Sequence, residues 1–114
     1  MRILDKPISK AELSKIAENT FGDMVKAAVD IDRDKLAIDA EMHSDLEQLL
    51  LDDGSTQSSL WGINLYPDAV DLSDFVEFDS LINIRPKQNN RGMGVYDESV
   101  RKQIFELVSR WTYE

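Results

Sequence analysis

The segment from Met24 to His43 constrains the fold more than any other, because its apolar residues change from helical to period-two spacing. Apolar and polar side chains alternate along two consecutive stretches that are separated by a charged turn. If the turn centres on Arg33-Asp34, the expected pairs are Ile31 with Leu36, Val29 with Ile38, Ala27 with Ala40 and, on the other face, Lys26 with Glu41. This register pairs favourable side chains on both faces, so the sequence predicts a β-hairpin.

Helix signals occur on both sides of this hairpin and near the end of the chain. Ser9-Lys10-Ala11-Glu12 and Ser44-Asp45-Leu46-Glu47 match the capping box, in which Ser and Glu side chains satisfy each other's backbone N–H groups. Gly22 and Gly54 are suited to ending these two helices. Asp97 is a typical N-cap for a third helix, whose apolar stripe comprises Val100, Ile104, Leu107, Val108 and Trp111.

Two later segments have the period of strands. One runs through Trp61, Ile63 and Leu65 and ends before Pro67; the other is expected from about Phe75 to Arg85. The order α-β-β-α-β-β-α predicts one α+β domain over 1–114, with a two-layer, four-stranded, mainly antiparallel sheet and three helices on its apolar face. The other face is expected to be polar and partly open, carrying Asp30, Asp39, Glu41, His43, Asn64, Tyr66, Glu77, Asp79, Asn83 and Arg85.

Composition excludes several classes of function. The formal charge of -9 argues against binding to nucleic acid or to an anionic membrane, which the chain would repel. The absence of cysteine excludes disulfides and thiolate metal sites and fits a reducing, cytoplasmic location. No apolar run is long enough to span a membrane. Residues 81–114, with 6 basic and 4 acidic side chains, are the only region that favours an anionic ligand.

Amide and guanidinium groups are concentrated on the last two predicted strands and in the loop after Pro86. These groups offer many hydrogen-bond donors and acceptors without a titratable proton, which suits holding a ligand. Arg85 can bind a carboxylate or phosphate through two parallel bonds. The predicted binding residues are Asn64, Tyr66, Asn83, Arg85, Asn89, Asn90 and Arg91. The alternative interpretation is that the amides bond to nearby backbone and that Arg85 pairs with a nearby acid.

Glu41, His43, Asp45 and Glu47 gather one imidazole and three carboxylates within seven residues. His43 is the best candidate for an acid–base catalyst, with Glu41 second, because His43 is the only side chain that titrates near neutral pH. A structural role is the favoured interpretation, since Asp45 and Glu47 suit the first turn of a helix. One histidine cannot build a His-rich zinc site.

Asp30-x-Asp32-x-Asp34 followed by Glu41 matches the ligand spacing of a calcium-binding loop. Lys35 occupies the position where that loop needs glycine for a sharp turn. A hairpin with a solvated acidic turn therefore explains these residues better than a calcium site, and no metal or cofactor is predicted.

Several strings in the sequence are unusual enough to identify a family. They include Leu60-Trp61-Gly62-Ile63-Asn64-Leu65-Tyr66-Pro67, Ile82-Asn83-Ile84-Arg85-Pro86 and Glu41-x-His43-x-Asp45-x-Glu47. Over roughly residues 19–108 the chain resembles a family of small, uncharacterised, mostly bacterial proteins catalogued as domain of unknown function 5674. This resemblance implies no activity, substrate or cofactor.

Two functions remain open at the level of the sequence. The first is a cytosolic binding or protein-interaction module, which uses the Asn/Arg patch to hold an unknown protein partner or to self-associate. The alternative is a small hydrolase or transferase for an anionic substrate, with Arg85 and Arg91 binding the substrate and His43 or Glu41 as acid or base.

Overall fold

Seven short strands and four helices make up the fold, and the computed structural model describes all of residues 1–114. The strands are β1 (Arg2–Ile3), β2 (Ile8–Ser9), β3 (Val25–Asp30), β4 (Lys35–Ile38), β5 (Leu60–Leu65), β6 (Val76–Glu77) and β7 (Thr112–Tyr113). The helices are α1 (Lys10–Glu18), α2 (His43–Asp52), α3 (Leu72–Phe75) and α4 (Glu98–Trp111). Five strands form an antiparallel sheet in the order β1-β4-β3-β5-β6, and β2 pairs with β7 in parallel.

The mixed α+β composition predicted from the sequence is confirmed, but the predicted four strands and three helices are wrong in number. The sheet has a fifth strand because β1 pairs with β4, and α3 adds a single helical turn. β2 and β7 were also missed. Strands of two residues are too short to show an alternating pattern, so the sequence carries no period for them.

The hairpin is confirmed as β3 and β4, with a register two residues away from the predicted one. Val29 pairs with Leu36 and Ala27 with Ile38, so each side chain keeps its expected face. The turn begins earlier than predicted because the Asp30 carboxylate accepts hydrogen bonds from the backbone N–H groups of two residues in the turn, Asp32 and Arg33.

The second strand of the hairpin also ends earlier than predicted. The left-handed conformation of Asp39, with φ of 71°, ends β4 at Ile38. The expected pairs of Ala27 with Ala40 and of Lys26 with Glu41 are therefore absent, and Lys26 instead lies opposite Asn64 of β5.

The prediction that one face of the sheet is polar and open is wrong, because α2 packs across it. Leu46 and Leu50 of α2 contact a small second core, whose other members are Ala28, Ala37 and Leu60. The main core lies on the opposite face, where α1 and α4 pack. The alternating pattern does not reveal the second core, because its strand residues Ala28 and Ala37 carry too little apolar surface to mark a buried face.

The strand predicted from about Phe75 to Arg85 is confirmed only over Val76–Glu77, and its predicted length is wrong. Regular pairing with β5 ends after two residues, Val76 and Glu77, and short 3₁₀ turns follow at Leu81–Asn83 and Pro86–Gln88. Ser80 opens the first of these turns, since its hydroxyl accepts from the Ile82 N–H. The apolar alternation in this segment reflects turns that lie against the sheet edge.

Two of the three expected helix caps form. Ser9 accepts from the Glu12 N–H, although the Glu12 carboxylate binds Arg2 and does not reach back, and Asp97 accepts from the first amides of α4. The second capping box is wrong: α2 begins at His43 with Met42 in the cap position, so Ser44 lies inside the helix. None of the four helices has the length and apolar character needed to cross a membrane.

Candidate functional site

The part of the β5 edge that β6 leaves unpaired is completed by side chains in place of a neighbouring strand. Successive residues of an antiparallel strand direct their backbone groups to alternate sides, so Leu60, Gly62 and Asn64 all face away from β3. β6 pairs with β5 only from Asn64 onward. The Asn83 amide takes over at Gly62: its Oδ1 accepts from the Gly62 N–H at 2.8 Å and its Nδ2 donates to the Gly62 O at 2.9 Å.

Arg85 bonds to the next outward-facing backbone oxygen along the same edge of β5, that of Leu60. Its guanidinium donates to the backbone oxygens of Leu60 and Gln57, and it lies 4.0 Å from the ring centre of Trp61. Such stacking of a cation on an aromatic face contributes roughly 0.5–2 kcal/mol. Burial lowers the pKa of Arg85 from its usual value, and Glu47 on α2 opposes that shift.

Asn90 holds the loop that follows. Its Nδ2 donates to the backbone oxygens of Asn83 and Gly94, at 2.7 and 2.8 Å, and its Oδ1 accepts from the Tyr96 N–H. We call Asn83, Arg85 and Asn90 the β5 edge cover. All three side chains bond to backbone groups, although Arg85 Nε is buried without a partner. For the two amides, this is the alternative that the sequence left open.

The predicted convergence of Asn83 and Arg85 with Asn64 and Tyr66 on one sheet face does not occur. Asn64 and Tyr66 do lie together, since both donate to Oε1 of Glu77. Burial and the adjacent Glu77 carboxylate raise the pKa of Tyr66. The four residues are separated into two groups because the chain leaves the sheet after Glu77.

A pocket of about 360 Å³ lies where the first turn of α2 meets β3, β5 and the segment after β6. It brings together His43 and Asn64, two residues singled out from the sequence. We call it the His43 pocket. Its lining residues are Met24, Lys26, Met42, His43, Ser44, Asn64, Asp79, Ser80, Leu81, Ile82 and Met93.

His43 is held in one orientation at the start of α2. Its Nε2 lies 2.9 Å from the Ile63 backbone oxygen, which only accepts, so Nε2 carries the hydrogen and Nδ1 is the acceptor of the neutral ring. Nδ1 makes no hydrogen bond within the protein. Burial lowers the pKa of His43 below its usual 6.5, against the raising effects of the Ile63 backbone oxygen and of the nearby Asn64 side chain, and this favours the neutral ring at pH 7.

Asn64 is the other uncommitted group of the pocket. Its Nδ2 donates to Glu77 and to the Asp79 backbone oxygen, whereas its Oδ1 is enclosed and has no partner. Because an enclosed acceptor without a donor costs roughly 1–3 kcal/mol, such atoms are rare in folded proteins. The pocket therefore contains two acceptors that the protein itself does not satisfy.

The remaining predicted site residues lie outside the His43 pocket. Arg85 does not line it, so His43 and Arg85 do not share one cavity. Glu41, Asn89 and Arg91 are exposed and are not part of its wall. The sequence did not single out Lys26, Asp79 or the methionines, since their proximity to His43 depends on α2 crossing the sheet.

The acidic turn and a larger surface groove offer weaker sites. Asp30 is saturated by backbone amides and the Ser55 hydroxyl, and Asp34 pairs with Arg110. No three His, Asp or Glu side chains lie close enough to hold a metal ion. A depression of about 1160 Å³ along α4 has a wall of mostly polar and charged side chains, unlike the largely apolar sites typical of small ligands.

Comparison with known proteins supports the family suggested by the sequence strings. A family model described as "Protein of unknown function (DUF5674)" matches residues 2–111 of the 114. No curated protein and no solved structure gives a significant match. The matched region includes both the β5 edge cover and the His43 pocket. The chain belongs to the DUF5674 family.

Proposed function

We propose that this protein is a binding protein whose ligand site is the His43 pocket. The observation that carries the proposal is the pair of acceptors in the pocket, His43 Nδ1 and Asn64 Oδ1, neither of which has a partner in the protein. The volume of about 360 Å³ lies at the lower end of the roughly 300–1,000 Å³ typical of small-molecule sites. A ligand that donates to these atoms recovers the free energy lost by leaving them unpaired.

The rim of the pocket supports the same function. Met24, Met42 and Met93 line it, and Leu81 on its edge is 72% exposed. Methionine side chains are flexible and polarizable, so they adapt to ligands of different shape. Exposed apolar groups around a few convergent polar atoms are the usual composition of a small-molecule site.

The Asn/Arg patch contributes to this proposal unequally. Asn64 lines the pocket and Tyr66 lies beside it, bonded to the same Glu77. Asn89 and Arg91 are exposed near the β5 edge cover and offer their groups to solvent. Contact with a protein partner or a second copy of the chain through these two residues is a separate part of the proposal, which an Arg91 variant tests below.

An enzyme that acts by acid–base chemistry in the same pocket is the second candidate. It is favoured by His43, whose lowered pKa keeps Nδ1 available as a base at pH 7. In this candidate, Lys26 in the pocket wall binds the anionic substrate. The sequence assigned that role to Arg85 and Arg91. Turnover that His43→Gln abolishes, with binding retained, would favour the enzyme over a pure binding protein.

The binding proposal is tested by screening a fragment library against the ¹⁵N-labelled chain by NMR. We expect the amide shifts to map to residues 24–26, 42–44, 64, 79–82 and 93. Leu81→Arg extends a charged side chain over the rim and should weaken binding by about tenfold or more. Ile84→Arg is the matched control, because Ile84 is also exposed and close in sequence but does not line the pocket. Equal binding by both variants would contradict the proposal.

A further inference from the structure

We infer that the His43 pocket selects a neutral ligand that donates hydrogen bonds, of the primary carboxamide class, and that a proton on His43 competes with this ligand. The inference rests on the proposed function and specifies its ligand. It differs from the anionic substrate in the alternative interpretation of the sequence. Four properties of the pocket carry it: the orientation of Asn64, the tautomer of His43, the balance of charge and the apolar rim.

The orientation of the Asn64 amide is determined by its two partners. Nδ2 lies 2.8 Å from the Glu77 carboxylate and 3.4 Å from the Asp79 backbone oxygen, and both of these groups only accept. Reversing the amide would set Oδ1 against the carboxylate. The unpaired atom is therefore an oxygen, and only a hydrogen-bond donor can satisfy it.

His43 presents a second acceptor in the same pocket. The Ile63 oxygen fixes the hydrogen on Nε2, so Nδ1 of the neutral ring has a lone pair and no hydrogen. The Asn64 side chain lies close enough to the ring to raise its pKa, although no hydrogen bond joins the two side chains. The NH₂ group of a carboxamide carries two donors, which matches two acceptors that belong to neighbouring side chains.

The charges around the ring do not favour an anion. Lys26 of β3 and Asp79 after β6 act on His43 with opposite signs. β5 contributes no ionisable side chain to the pocket wall, and neither does the segment at Met93. A carboxylate ligand would meet one ammonium group together with Asp79 and two lone pairs, whereas a neutral donor encounters no repulsion.

The enclosed position of Asn64 Oδ1 explains why the rim matters. A ligand reaches this atom when part of the pocket wall moves aside, and the methionines are the lining side chains best able to change rotamer. They also offer an apolar surface for the body of the ligand. An aryl or alkyl group bearing a carboxamide fits this division of polar and apolar contacts.

Protonation of His43 changes Nδ1 from an acceptor into a donor. The imidazolium then repels the NH₂ group of the ligand and can itself donate to a nearby acceptor such as Asn64 Oδ1. A donor ligand therefore binds most tightly above the pKa of His43 and is lost as the pH falls through it. An anionic ligand has the opposite dependence, because it gains a positive neighbour at low pH.

The test compares benzamide with benzoate, which share a ring and differ in the polar group. Both are titrated into the ¹⁵N-labelled full chain at pH 7.5 and pH 5.0, and pocket amide shifts give the dissociation constants. We expect benzamide to bind at pH 7.5 about tenfold more tightly than benzoate, and to weaken toward pH 5.0. The affinity for benzamide should fall by at most about tenfold per pH unit below the pKa of His43 in the free protein.

His43→Gln is the matched variant, because its amide can still donate to Ile63 and does not titrate. Benzamide should bind to this variant equally at both pH values. Benzoate that binds more tightly than benzamide, and gains affinity at pH 5.0, would overturn the inference and leave the proposed function standing. A complete lack of benzamide binding overturns it too, even where the library screen finds another ligand in the pocket. Pocket binding of benzamide that stays unchanged over the pH range in which the imidazole signals of His43 titrate would refute the competition by the His43 proton.

Discussion

The β5 edge cover and the His43 pocket both contain asparagine amides, but the amides have different roles in the two regions. Asn83 and Asn90 in the cover have both ends of their amides bonded to backbone groups. Asn64, in the pocket, has its nitrogen bonded and its oxygen unpaired. The difference teaches that the number of amides in a stretch does not locate a ligand site. An unpaired buried atom indicates a site only where its side chain also lines a pocket, as Asn64 does; Arg85 Nε in the cover is unpaired too, but Arg85 does not line the His43 pocket.

The edge cover exists because β6 is too short to pair with the whole of β5. Backbone groups at an unpaired edge attract strands from other chains, and proteins protect such edges in several ways. Here Asn83 acts as a substitute peptide unit and Arg85 closes the Leu60 carbonyl. Variants of the cover should therefore change mainly stability, and variants of the pocket mainly ligand binding.

The largest expected effect comes from Asn83→Ala. It leaves the Gly62 N–H and C=O without partners in a buried position, where each unpaired group costs roughly 1–3 kcal/mol. We expect the free energy of unfolding in urea to fall by about 3 kcal/mol. Because Asn83 Nδ2 also donates to the backbone oxygen of Met93 in the pocket wall, ligand affinity should fall as well, but by less than in Leu81→Arg. A loss of binding at nearly unchanged stability would reverse the roles assigned to the two regions.

Gly62→Ala should have the next largest effect. A Cβ on Gly62 would lie 2.5 Å from the Ser80 Oγ and 2.6 Å from the Ser80 Cβ, so the segment after β6 must shift. Overpacking of this kind costs roughly 1–3 kcal/mol, measured by urea unfolding. Because Ser80 also lines the His43 pocket, ligand affinity should fall as well.

A second substitution at Ser80 separates crowding from other causes. Adding Ser80→Gly to Gly62→Ala removes both crowding atoms and should recover part of the lost stability. Adding Ser80→Ala leaves the Cβ in place and should recover much less. Equal recovery in the two double variants would show that the side chain of Ser80 is not what Gly62 must accommodate.

The sequence predicted the hairpin because local rules determine it. The alternation of Val25 to Ile38 sets the faces of both strands, and a register error of two residues leaves those faces unchanged. The error arose at Asp30, where a carboxylate bonded to its own turn shortens the strand. Turn chemistry of this kind depends on side-chain geometry that a periodic pattern does not record.

The site was harder to predict, because it depends on contacts between distant elements. His43 and Asn64 were both singled out, but their meeting requires α2 to cross the sheet over Ala28 and Ala37. For Asn83 the difficulty is different. Its residue type is equally compatible with ligand binding and with bonding to the backbone. Only the geometry at Gly62 separates them.

The smallest expected effect belongs to Arg91, the exposed cation of the predicted binding loop. Its side chain makes no hydrogen bond or ion pair in the protein, so Arg91→Ala should change the free energy of unfolding by less than about 0.5 kcal/mol. Affinity for a pocket ligand should also be unchanged, which distinguishes this variant from Leu81→Arg. Sedimentation velocity of the wild-type and variant chains then tests whether Arg91 contributes to self-association. A self-associating wild type that becomes monomeric on this one substitution would locate a contact surface at the loop, independent of both the edge cover and the pocket.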